Sequence, residues 1–154
     1  GATGATGAGH TLVLKTGTDS VSGDNTVNND DQLFLAMGAN EIWEFEAFII
    51  ASVGASNDPD FKFTFAVPTG ATINWVATRQ KDSDANSGGL VPVTASGTER
   101  NVNMDNNDVF FVRVRGIVQN GSNAGNLQFQ WAQNNANATA TSVQINSFLK
   151  AGKF

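Results

Sequence analysis

The 154-residue chain contains no cysteine and no tyrosine, a single histidine and only three prolines. The absence of Cys excludes disulfides, thiol catalysis and Cys-ligated zinc together. One His, His10, is too few for the His sets of zinc hydrolases. It also leaves a Ser-His-Asp triad with a single candidate, near the start of the chain. Charge is scarce: 15% of residues are Asp, Glu, Lys or Arg, against about a quarter in an average domain. The balance is negative, at −5, which argues against an electrostatic nucleic-acid binder. No apolar run approaches the roughly 20 residues of a membrane helix, so no membrane partner is expected. No Gly-rich phosphate loop with a following Lys occurs, and Gly88-Gly89 lacks that pattern. The chain begins at Gly1 without Met or a signal-peptide pattern, and reads as a processed product or an excerpt of something longer.

What is present points to β structure. Eleven Phe and three Trp supply bulk for a core, and 154 residues suffice to bury about two-thirds of the extended chain's surface. The polar surface is built from Asn, Gln, Thr and Ser. Asn, Ser and Thr compete with helical backbone bonds, whereas Thr, Val, Ile and Phe fit a pleated surface.

The first nine residues, Gly1-Ala2-Thr3-Gly4-Ala5-Thr6-Gly7-Ala8-Gly9, place Gly1, Gly4 and Gly7 on a three-residue beat. Only Gly fits the axis of a collagen triple helix, so the period has a mechanism; three triplets span about 28 Å at roughly 3.1 Å per residue. A flexible Gly/Ala/Thr linker is the alternative. Residues 1–10 are expected to form the end of a collagen-like stalk, and 11–154 a head domain.

From Thr11 onward, short strands alternate with turn clusters, and no helix is expected. Strands are expected at 11–15, 32–37, 42–51, 61–65, 72–78, 90–94, 100–104, 109–118, 127–131 and 139–149. Loops are expected at 16–29 and 79–89, and a tail at 150–154. In 42–51, Trp43, Phe45, Ala47 and Ile49 share one face, while Glu44, Glu46, Phe48 and Ile50 share the other. The second face starts charged and ends apolar, which suits a subunit contact through Phe48 and Ile50. About ten strands in about 140 residues predict an all-β antiparallel sandwich of jelly-roll type.

Candidate chemistry is sparse. Asp58/Asp60, Asp82/Asp84 and Glu44/Glu46 are close carboxylate pairs of the kind a glycosidase uses, but the Asp pairs lie in turn-forming contexts and the Glu pair on a strand face. Ion pairs of Glu44 and Glu46 with Arg113 and Arg115, across strands or between subunits, are the simpler expectation. Calcium has two possible homes, Asn28-Asn29-Asp30-Asp31 and Asp105 to Asp108, though neither has EF-hand spacing. No other cofactor is expected. Trp75, near the centre of its strand, is a candidate for stacking on a sugar ring, with core packing as the alternative.

A Gly-X-Y lead followed by a compact β domain resembles the trimeric heads of the C1q and tumour-necrosis-factor type, and also bacteriophage fibres and spikes with collagen-like stalks. Val143-Gln144-Ile145-Asn146-Ser147-Phe148-Leu149 resembles the last strand of C1q heads. Trp43 to Ile50, Asp60 to Ala71, Gly125 to Gln133 and Ser147 to Ala151 resemble segments of phage virion proteins. The resemblance implies a homotrimeric, non-enzymatic structural protein on the virion surface, contacting capsid or tail proteins. A lectin-like head binding a host surface glycan is the alternative implication.

Overall fold

A computed structural model describes residues 9–55, 59–81 and 87–154. Gly1, Gly4 and Gly7 of the stalk reading, and Asp58, Asp82 and Asp84 of the carboxylate pairs, lie outside the described residues. Twelve strands follow one another: β1 (His10–Leu14), β2 (Asp19–Val21), β3 (Asn28–Met37), β4 (Ile42–Val53), β5 (Phe61–Ala66), β6 (Thr72–Lys81), β7 (Ser87–Gly89), β8 (Arg100–Val102), β9 (Val109–Gln119), β10 (Gly125–Ala132), β11 (Thr141–Val143) and β12 (Phe148–Lys153). No helix occurs among the described residues.

The strands form two antiparallel sheets, as the alternation predicts. The larger runs β1-β12-β4-β9-β6-β7, with β11 joining β4 to β2. The smaller runs β3-β10-β5-β8. The chain crosses between sheets at every step from β2 to β11 except β6 to β7, the jelly-roll pattern.

Period-two burial makes the sandwich. Along β4, Trp43, Phe45, Ala47, Ile49, Ala51 and Val53 are buried. Opposite them stand Phe61, Phe63 and Phe65 of β5 and Leu127, Phe129 and Trp131 of β10. The rings interlock: Phe45 to Phe65 at 5.1 Å between centroids, Phe65 to Phe129 at 5.4 Å and Phe63 to Trp75 at 5.4 Å. Such pairs add about 0.5–1.5 kcal/mol each beyond the area they bury.

Gly116 occupies the inward position between Phe45 and Trp75 in register. A Cβ there would lie 2.5 Å from both the Asn74 carbonyl oxygen and a Phe45 ring carbon. Gly116→Ala is therefore expected to lower unfolding free energy by about 1–3 kcal/mol, as overpacking does. Urea titration checks this, and an unchanged midpoint would show that the Phe45 ring yields freely.

The β3–β4 turn is fixed by Glu41. Its carboxylate accepts bonds from the Gly38 N–H at 2.7 Å, the Trp43 indole at 2.8 Å and Lys153 Nζ at 2.6 Å. The Lys153 bond foremost, then those from Gly38 and Trp43, hold the Glu41 pKa down to about 2 from an ordinary 4.5. A pKa lower in the folded than in the unfolded state adds stability above the unfolded value, and that increment vanishes as pH falls through the folded value. Wild type is thus expected to exceed Glu41→Gln in thermal stability at pH 7, with the gap closing between about pH 4.5 and pH 2. Melting curves across that range test the sign; a gap that widens on acidification contradicts it.

Several boundaries differ from the sequence expectation. Residues 139–149 are not one strand: the chain turns between β11 and β12, with Asn146 in the left-handed region at φ 72°. The expected tail is strand as far as Lys153. The expected loop 79–89 contains the end of β6 and all of β7, and 16–29 contains β2. Residues 90–94 contribute only a bridge from Val93 to Trp75.

Candidate functional site

The outer face of the larger sheet, turned away from the smaller sheet, carries an unusual set of residues. Register aligns them in rows across the strands. One row is Leu14, Phe148, Phe48, Arg113 and Thr78; the next is Leu12, Lys150, Glu46, Arg115 and Val76; a third is His10, Gly152, Glu44, Ile117 and Asn74. Phe48 stacks between Phe148 and Phe111, each at 5.8 Å between centroids. Ile50 stands opposite Phe111. Leu12 is 59% exposed, Leu14 48%, Val76 52% and Ile117 45%. Apolar side chains thus cluster around the Phe148–Phe48–Phe111 stack, and a charged row, Lys150, Glu46 and Arg115, separates Leu12 from Val76; this contrasts with the singly scattered exposed side chains that are normal on a monomer.

The face is grooved. An open groove of about 690 Å³ runs beside β6, lined by Val76, Ile117, Arg115, Glu44, Pro92 and Val93. A second, of about 720 Å³, is lined by Phe48, Phe111, Arg113, Thr78 and Lys81 among others. A smaller polar recess of about 250 Å³ gathers His10, Glu44, Glu46, Arg115 and Lys150. The His10 ring rests over Gly152, where a Cβ would meet it at 2.7 Å.

The structure therefore brings Glu44, Glu46 and Arg115 together, but not as pairs. Glu46 is opposite Arg115 in register, yet its ion-pair partner is Lys150 at 3.7 Å. Among the described residues no ion pair within 4 Å joins Glu44 or Glu46 to Arg113 or Arg115. Lys150 was missed because it falls in the expected tail. Two carboxylates in one recess have the residue types of a hydrolase, but three basic side chains share the recess with them.

Trp75 does not present a ring to solvent. It is 2% exposed and packs between Phe63 and Phe65, at 5.4 and 5.6 Å. Its position alternates inward on β6, which is the core alternative to the sugar-stacking expectation. Trp43 and Trp131 are buried as well. The exposed aromatic of the smaller sheet is Phe34.

Both acidic clusters considered for calcium contain a lysine ammonium. Lys15 Nζ lies 3.1 and 2.9 Å from the two oxygens of Asp30 and 3.4 Å from Asp31, and it also bonds Asp19. Lys15 and the Asp30 side chain are fully buried. Burial pulls the Lys15 pKa down, but the bonds and charges of Asp19 and Asp30 outweigh it and leave it raised. Lys81 bridges Asp105 at 3.0 Å and Asp108 at 2.9 Å, and its bond to Asp108 is the foremost reason its pKa is raised. A divalent cation at either place would have to displace a lysine. Neither lysine is marked by the sequence, since a Lys ending a strand ordinarily faces water.

No protein-family model matches the chain, and no curated protein matches it. Among solved structures the chain is similar to Eiger TNF from S. frugiperda, at 10% identity and a TM-score of 0.44, over 96% of this chain and 93% of that one. It is also similar to chains of infectious bursal disease virus. For the Gt strain the identity is 7% and the TM-score 0.21; for the Gx strain they are 5% and 0.20. These alignments cover 94% and 96% of this chain, but only 35% and 36% of the viral chains.

Proposed function

We propose that the chain is the head of a homotrimeric phage virion surface protein, a structural rather than catalytic component that decorates the capsid or ends a fibre or spike. The supporting observation is the exposed apolar face of the larger sheet, with Phe48 and Ile50 at its centre and Leu12, Val76 and Ile117 around them. A second and third copy seated on this face would remove those side chains from water, each fully buried Leu, Ile or Phe contributing roughly 1.5–3 kcal/mol. Glu44, Glu46, Arg115 and Lys150 lie on the same face, where their charges set the register between copies. His10, the first residue of β1, stands on it too, so three Gly-X-Y leads would enter the assembly side by side.

The glycan-binding alternative has no exposed Trp to rest on, since all three are buried in the core. An enzymatic reading would rest on Glu44 and Glu46, whose recess also holds Arg115 and Lys150.

Immunogold labelling of intact virions with an antibody to the head tests the assignment. Gold on the outside of intact particles is expected. Label seen only after particles are disrupted, or none at all, contradicts a surface role.

A further inference from the structure

A second feature asks for a chemical explanation of its own; it lies just past Leu14, where β1 ends. Lysine is almost never fully buried unless paired, and here the pairing is elaborate. The Asp30 Oδ1 oxygen accepts the backbone N–H groups of Gln32 at 3.0 Å and Leu33 at 2.9 Å. The Oδ2 oxygen accepts the Trp131 indole N–H at 3.1 Å. The Lys15 nitrogen faces both oxygens of the same carboxylate, at 3.1 and 2.9 Å. Two further carboxylates, Asp19 and Asp31, reach the same nitrogen from the partly exposed side.

We infer that this cluster is a self-modification site, at which Lys15 and Asp30 condense into an intramolecular amide cross-link.

The parts match the roles such a step needs. The nucleophile is held against the acyl group, its nitrogen 3.1 and 2.9 Å from the two carboxylate oxygens, so the encounter is prepaid by folding. The two backbone N–H groups on Oδ1 form an oxyanion hole for the tetrahedral intermediate. Asp19, with Asp31 beside it, takes a proton from the Lys15 ammonium and delivers it to Oδ2 as general base and then acid; because the same carboxylates favour the ammonium, this transfer is the slow step. The Trp131 N–H supports Oδ2 as it leaves. The Nζ–Cγ bond forms, the Cγ–Oδ2 bond breaks, and two protons of the ammonium depart with Oδ2 as water. Ammonium plus carboxylate gives amide plus water, so the step needs no oxidant, metal or nucleotide. It also exchanges a buried ion pair, with its cost of desolvation, for a neutral amide. Water leaves past Asp19 and Asp31, whose side chains are 39% and 67% exposed. The link would join Lys15, just past the end of β1 in the larger sheet, to β3 of the smaller one, a covalent tie across the sandwich.

The native full chain tests this directly. Denaturing mass spectrometry is expected to show a mass about 18 Da, one water, below the sequence mass. Peptide mapping is expected to recover a branched peptide joining Lys15 to Asp30. Lys15→Arg, which keeps the positive charge, is expected to carry the full sequence mass. Replacing Asp19 and Asp31 together with Asn is expected to slow accumulation of the linked form roughly a hundredfold, the scale of general acid–base help. A native chain of unmodified mass after prolonged incubation at neutral pH overturns the proposal. So does a water loss that maps to a linear peptide. Linkage at an undiminished rate in the double variant would overturn the relay assigned to Asp19 and Asp31.

Discussion

Phe48→Asp is expected to turn the assembly into folded monomers. Phe48 is the middle of the stack Phe148–Phe48–Phe111, on the face where copies are proposed to meet. A carboxylate in each copy at the same place would bring like charges into a desolvated contact, and removing one large aromatic also removes the anchor that dominates such interfaces. Within a protomer the cost is smaller. Phe48 is only half-buried, and Arg113 stands opposite it on β9, so an Asp there gains a cation neighbour. The variant should retain a cooperative melt while its mass in solution falls to that of one chain. A trimer of unaltered stability would place the contact away from this face. The matching control is Phe34→Asp on the smaller sheet, which should leave the assembly intact.

Asp30→Ala is expected to be the most destabilising single substitution outside the aromatic core. The carboxylate serves Lys15, the Trp131 indole and the backbone N–H groups of Gln32 and Leu33 at once. Truncation leaves a buried ammonium with only its two partly exposed partners and strands three donors, of which the Leu33 N–H and the Trp131 indole are buried. Breaking a buried ion pair on one side costs about 3–5 kcal/mol. Against a total stability of about 5–15 kcal/mol, that is a large share of what holds the domain folded. Urea titration of wild type, Asp30→Ala and Asp31→Ala separates the buried carboxylate from its exposed neighbour. Asp31, 67% exposed at the side chain, should cost little by comparison. Equal losses for the two would show that burial is not what sets the cost.

Much of the fold was readable from alternation, and the readable parts share a cause. In β5 and β10 every inward residue of the runs Phe61-Phe63-Phe65 and Leu127-Phe129-Trp131 is large and apolar, so the period of two stands out. In β4 the outward face also announced itself, because Phe48 and Ile50 break the polar alternation that Glu44 and Glu46 begin. The strands that fall where loops are expected, β2 and β7, are three residues each, too short to show a period. The run 139–149 misleads for a different reason. Its alternation continues smoothly through a turn that only the left-handed Asn146 and the Ser147 hydroxyl, which accepts the Ile50 N–H, reveal. Lys15 was opaque because its burial is dictated by Asp30, fifteen positions away on the other sheet. The same holds for Lys150, whose partner Glu46 is set by strand register rather than by local sequence.

The central claim is that the grooved apolar face of the larger sheet is a contact between copies of this chain. Light scattering on the purified 154-residue chain tests it most directly. The account predicts a single species at three times 16.2 kDa, stable on dilution. A clean species at 16.2 kDa, at concentrations where the face has every chance to find itself, would contradict it.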